Sequence, residues 1–203
     1  MLSSIKEINN EDLIEKMKKS DKPIIDALNY RRTIRNYDID YKIPQEHLDE
    51  IVHAGMFAPT ACNSQPYDLV VVRNVAKLEE VSKLVLDNLP EHFKSHVLER
   101  KEKHGVKNVV TCDANCIIFF VKNERQIKDF VELDVGISCM AMMTAALQFR
   151  LDTMCLGFFR TPIVEKYFGF KEGSVPLALA VGKVKGDRIF PHKDLISKIT
   201  YID

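Results

Sequence analysis

Apolar positions recur at helical spacing behind Pro44, with Leu48, Ile51, Val52 and Met56 on one side. This predicts a helix that ends before Ala58-Pro59, because a residue preceding proline is biased away from helix. Leu69-Val70-Val71-Val72 and Ile117-Ile118-Phe119-Phe120-Val121 are continuous apolar runs and read as buried strands. Residues 127–150 carry the longest helical pattern. From Val135 to Leu147 it is apolar or small on nearly every side, which predicts burial against several neighbours. Shorter elements are a helix from Pro23 to about Tyr30, a strand at 153–158, a helix at 162–168 and a strand at 175–184. Residues 75–89 and 90–104 read as two helices broken near Pro90, the second polar, weakly periodic and flap-like. Gly169 to Gly173 reads as a helix C-cap and turn. One or two helices of uneven length separate successive strands, unlike the regular alternation of a doubly wound sheet. The pattern predicts an α+β fold, a central sheet between helices.

Composition narrows the class. The chain has 203 residues, 46% hydrophobic, with 29 Lys and Arg against 29 Asp and Glu. That is a globular balance, not that of a disordered chain. The even charge also disfavours nucleic acid as the main partner. No apolar run approaches the ~18 residues read as a membrane span, and no membrane partner is expected. Residues 1–19, MLSSIKEINNEDLIEKMKK, are too charged for a secretory signal. Five cysteines, an odd number in a chain large enough to need no staples, read as reduced thiols in a cytoplasmic protein. Residues 1–22 read as an N-terminal helical extension and 23–203 as the main domain.

Several signatures are missing. GxGxxG after a strand, GxxxxGK[ST], HExxH and GxSxG do not occur. His92, His96 and His104 share a helical face, but no carboxylate or cysteine pattern completes a metal site. The densest polar signal is Arg31-Arg32-Thr33-Ile34-Arg35. In an extended segment Arg31, Thr33 and Arg35 point the same way, and planar guanidinium forks suit a phosphate. The competing reading is a basic turn complementing a helix C-terminus. The second signal is the loop Ala58 to Tyr67, where two prolines hold the Asn63 and Gln65 amides, groups that donate and accept at once. Ordinary turn chemistry is the alternative there.

The order and separation of these motifs resemble the FMN-dependent nitroreductase family. Its Arg-Arg/His-Ser/Thr-x-Arg/Lys segment is similar to Arg31–Arg35. Its Pro-Ser/Thr-x-x-Asn-x-Gln-Pro-aromatic loop is similar to Pro59–Tyr67, with Tyr67 where the family often has Trp. Asp134-Val135-Gly136, Leu156-Gly157, Tyr167-Phe168-Gly169-Phe170, Ala180-Val181-Gly182 and Pro191-His192-Lys193 follow in the family's order. The resemblance covers about residues 23 to 200.

The resemblance implies a mostly antiparallel sheet and an intertwined homodimer with FMN at the interface. It assigns the cofactor's phosphate and ribityl chain to Arg31, Arg32, Thr33, Arg35 and Lys193. It assigns the ring edge to Asn63 with Gln65 nearby, and close backbone approach to Leu156-Gly157. It implies NAD(P)H as donor and hydride transfer through flavin N5 to a nitroaromatic, quinone or similar acceptor, with no catalytic side chain. The long helix would supply much of the dimer contact through Gly136, Ser138, Ala141, Ala145 and Ala146. Two other readings are a same-fold reductive dehalogenase or flavin-degrading enzyme, and a non-catalytic FMN-binding or storage protein.

Overall fold

The computed structural model describes residues 19–188 and 196–202. Most of the expected N-terminal extension, and Lys193 with His192, lie outside the described residues. In chain order the helices are α1 (Pro23–Tyr30), α2 (Gln45–Met56), α3 (Val75–Asp87), α4 (Glu91–Leu98), α5 (Arg100–His104), α6 (Val131–Gln148) and α7 (Pro162–Phe168). The strands are β1 (Tyr67–Val72), β2 (Cys116–Lys122), β3 (Asp152–Cys155) and β4 (Leu177–Gly182). They form one sheet in the order β1-β2-β4-β3, with every named neighbouring pair antiparallel.

The core lies on both faces of this sheet. Alternation along β2 sends Ile117 and Phe119 to one face, where Ala178 and Ala180 of β4 stand opposite them in register. That face packs against Leu78, Val81 and Val85 of α3 and Val164 of α7. Small residues on β4 leave room for the large ones on β2. Cys116, Ile118 and Phe120 face the other way with Leu179 and Val181, against Ile51 of α2 and Val135 and Met142 of α6. Burying a side chain such as Phe119 or Phe120 stabilises by about 1.5–3 kcal/mol.

Two expectations change. β1 is an edge strand, bonded on one side only and half covered, so its continuous apolar run does not mean burial on both faces. Helix α6 is long and apolar enough to cross a membrane by length and composition alone, although no run of that kind was expected. Its buried side packs inside the chain instead. Ser138 Oγ donates to Gly55 O at 2.8 Å, and a Cβ on Gly55 would lie 2.1 Å from Met142 Cε. Close packing of α2 on α6 therefore requires glycine there. The small-residue stripe divides: Ser138 and Ala146 are buried in this contact, whereas Gly136, Ala141 and Ala145 line an open groove.

Candidate functional site

The segment after α1 runs alongside β3 and extends that edge of the sheet. Thr33 bridges Thr153 in parallel sense, and Ile34 N–H donates to Thr153 O at 3.3 Å. Tyr37 bridges Val184 and donates its N–H to Cys112 O at 3.0 Å. Its ring lies across Gly182, where a Cβ would come within 2.8 Å of Tyr37 Cδ1. The backbone is thus extended, as the alternation argument requires, with Ile34 buried and Arg31, Thr33 and Arg35 half-buried. Arg31 Nε is buried and has no hydrogen-bond partner among the described residues. Arg32 does something different. Its Nη1 donates to Asn29 O at 2.6 Å and Arg31 O at 2.7 Å, closing the C-terminal end of α1. Burial and the neighbouring Arg31 charge lower its pKa.

Beyond β3 the chain turns through a short 3-10 segment, Gly157–Phe159. Leu156 is buried and its N–H donates to Ala178 O at 2.8 Å. A cavity of about 400 Å³ opens here, with Arg35, Cys155, Leu156 and Gly157 on one wall and Phe93 and Arg100 from the predicted flap on the other. Phe93 meets Phe158 edge-on at 6.3 Å, and the Arg100 guanidinium lies 5.6 Å over the Phe158 ring. A Cβ added to Gly157 would meet nothing within 4 Å. Glycine there is not demanded by the chain's own packing, so the space beside it is free for a planar group.

The Pro59–Pro66 loop precedes β1, at the opposite edge of the sheet. Cys62, Asn63 and Gln65 all have positive φ, at 51°, 53° and 47°. Left-handed backbone in residues other than glycine persists only where surroundings over-determine it. Here Asp134 Oδ1 accepts from Ala61 N–H at 3.0 Å, and Thr60 Oγ1 accepts from Gln65 N–H at 3.1 Å. Gln65 O accepts from Asn123 Nδ2 and Arg125 Nε, both at 3.1 Å. Gln65 Nε2 donates to Asn63 Oδ1 at 3.2 Å, leaving both amides exposed side by side. The sequence placed Asp134 only within a motif in the family's order and gave no sign of Asn123 and Arg125, which hold the loop from distant positions.

The structure therefore gathers Arg35, Leu156 and Gly157 around one cavity beside Arg31 and Thr33, and gathers Asn63 with Gln65 elsewhere. Neither the cavity beside Gly157 nor the groove along α6 includes Asn63 or Gln65. Two further features were not legible. Asp152 and Arg188 form a buried ion pair at the start of β3. Cys139 and Cys155, from α6 and the end of β3, bring their sulfurs to 3.8 Å. Between α1 and α6 lies an open apolar groove of about 980 Å³. On its walls Ile24 is 70% exposed, Leu133 60% and Ile137 46%.

Comparison with known proteins places these features in a family. The family model described as "Nitroreductase family" matches residues 28–183. A curated protein of Methanothermobacter thermautotrophicus, provisionally named an NADH dehydrogenase/NAD(P)H nitroreductase, is 25% identical over 160 residues, 77% of this chain and 74% of its own length. Among solved structures, an FMN-bound nitroreductase of Bacteroides fragilis superposes with a TM-score of 0.73 at 20% identity, covering 89% of this chain and 98% of its own. An FMN-bound nitroreductase of Desulfitobacterium hafniense gives the same TM-score and coverage at 22% identity.

Proposed function

The chain belongs to the nitroreductase family, and from that premise we propose that it is a homodimeric FMN-dependent enzyme that takes reducing equivalents from NAD(P)H and passes them to nitroaromatic, quinone or similar small acceptors. The observation that carries this reading is the β3 edge, where Arg31 Nε is buried without a partner among the described residues, near a cavity that includes Arg35 and the unobstructed Gly157. The relatives' names point to the donor, and the two solved neighbours hold FMN on the same fold.

Each residue has a role that follows from its chemistry. The Arg31 fork and the Thr33 hydroxyl bind a phosphate, since charge-assisted hydrogen bonds to a dianion are the strong ones. Arg32, committed to the end of α1, adds charge more than contacts. Lys193 completes the basic set by family resemblance. Arg35 presents a cation to the electron-rich edge of the ring system. Gly157 and the Leu156 backbone admit a planar ring at close range. Phe93 and Phe158 shield the cavity from water. FMN, when bound, supplies the two-electron chemistry, and the protein supplies position and electrostatics.

Asn63 and Gln65 recognise the ring edge, but from the opposite edge of the sheet. A second copy supplies them. The open groove between α1 and α6 offers the apolar surface for that contact, with Gly136 and Ala141 allowing close helix approach. The five free cysteines suit a reducing compartment, the cytoplasm.

The purified protein is expected to be yellow, to release FMN on denaturation, and to oxidise NAD(P)H in the presence of a nitroaromatic or quinone. A colourless protein that does not bind added FMN would end this reading. FMN bound without turnover would favour a storage or sensing role instead.

A further inference from the structure

Cys155 is the one exposed thiol on the cavity wall, at the end of β3. Its sulfur lies 3.8 Å from that of the buried Cys139 on α6. A disulfide has S–S near 2.05 Å, so the two sulfurs must approach by about 1.8 Å, a movement on the scale of side-chain rotation. The pair is asymmetric. The contact with Cys139, helped by the Arg31 guanidinium, pulls the Cys155 pKa down to about 7 against partial burial. The same contact, with desolvation, pushes the Cys139 pKa up. One member is therefore a reachable thiol biased toward its thiolate with Arg31 nearby, the environment of reactive cysteines, and the other is a sheltered thiol within striking distance.

We propose that Cys139 and Cys155 form a hydroperoxide-responsive dithiol, a site of reversible disulfide formation in the wall of the cavity beside Arg35 and Gly157. This rests on the two thiols alone and stands whether or not the cavity holds FMN. Of the two, only Cys155 is exposed to an oxidant. Its thiolate attacks a peroxide oxygen, the S–O bond forms as the O–O bond breaks, and the departing hydroxide leaves as water after taking a proton. The Cys139 sulfur then attacks the Cys155 sulfenic acid. The S–S bond forms, the S–O bond breaks, and the hydroxyl departs as a second water with the Cys139 proton. Two thiols lose two electrons, and one peroxide becomes two waters. A small-molecule dithiol reverses the step by exchange.

The test treats purified protein with one equivalent of hydrogen peroxide, alkylates the remaining thiols and maps peptides by mass spectrometry. The exposed Cys62 is the internal reference. A Cys139–Cys155 cross-link is expected, lighter by two hydrogens, removed by dithiothreitol and formed several-fold faster than Cys62 oxidises. The advantage is only several-fold because a lowered pKa raises the thiolate fraction while reducing its nucleophilicity. Alkylation of Cys155 by iodoacetamide should rise with pH through about 7. In Cys139→Ser the cross-link disappears and dimedone traps a sulfenic acid on Cys155. A Cys155 that stays fully alkylatable after peroxide, or oxidises no faster than Cys62 without forming the cross-link, would overturn the proposal.

Discussion

The two edges of the sheet are built in opposite ways. At the β3 edge the chain is extended and bonded backbone to backbone, Thr33 to Thr153 and Ile34 to Thr153, and it leaves space beside Gly157. At the β1 edge three residues other than glycine sit in left-handed conformation, each end of the loop tied by side chains from far along the chain. The first edge is a cradle with room and positive charge. The second is a rigid probe that displays two amides. On the proposed reading these are complementary half-sites, turned to opposite sides, that a symmetric second copy would join.

The largest effect should come from filling the cradle. Gly157→Trp adds bulk where a Cβ meets nothing within 4 Å and a cavity of about 400 Å³ adjoins, so the protein should fold with a near-native melting temperature yet retain no FMN. Loss of fold instead would show that the space is needed for packing. Breaking the ion pair beneath that edge comes next. Asp152→Ala leaves Arg188 buried without its carboxylate and should destabilise by about 3–5 kcal/mol in urea titrations. Arg31→Ala should weaken FMN binding several-fold or more, because a hydrogen bond to a charged group contributes about 1.5–3 kcal/mol. An unchanged dissociation constant would reduce Arg31 to a surface charge. The smallest effect belongs to the probe. Asp134→Ala removes the acceptor of the Ala61 N–H, at a cost of about 1–3 kcal/mol of stability, and should raise FMN dissociation without changing the cradle. Asp134→Asn, which keeps an acceptor oxygen, should restore most of both.

Which parts of this were legible follows from range. α1 begins and ends where Pro23 and the loss of period put it, and α7 closes on Gly169 in left-handed conformation as the turn chemistry predicts. Local pattern decides such elements. The sheet order was not legible, because pairing of β4 between β2 and β3 depends on contacts far apart in sequence. β1 was misjudged for the same reason: a continuous apolar run does not reveal that one face meets solvent at an edge. The extended run through Arg31, Thr33 and Arg35 was legible because it depends on local sequence alone. Asn123, Arg125 and the Cys139–Cys155 pair were missed because the fold brings them to their partners. Adjacency grouped Arg32 with Arg31, Thr33 and Arg35, and it did not reveal that Arg32 Nη1 turns back on α1.

Complementation tests the central claim most directly. One copy carries Gly157→Trp, with its cradle filled, and the other carries Asn63→Ala and Gln65→Ala, with its probe erased. Each homodimer should purify without FMN. If the site joins the cradle of one copy to the probe of the other, the purified heterodimer recovers one intact site and binds one FMN per dimer, measured by flavin absorbance after denaturation. A heterodimer as empty as its parents would mean that both half-sites act within one chain, and would contradict the account.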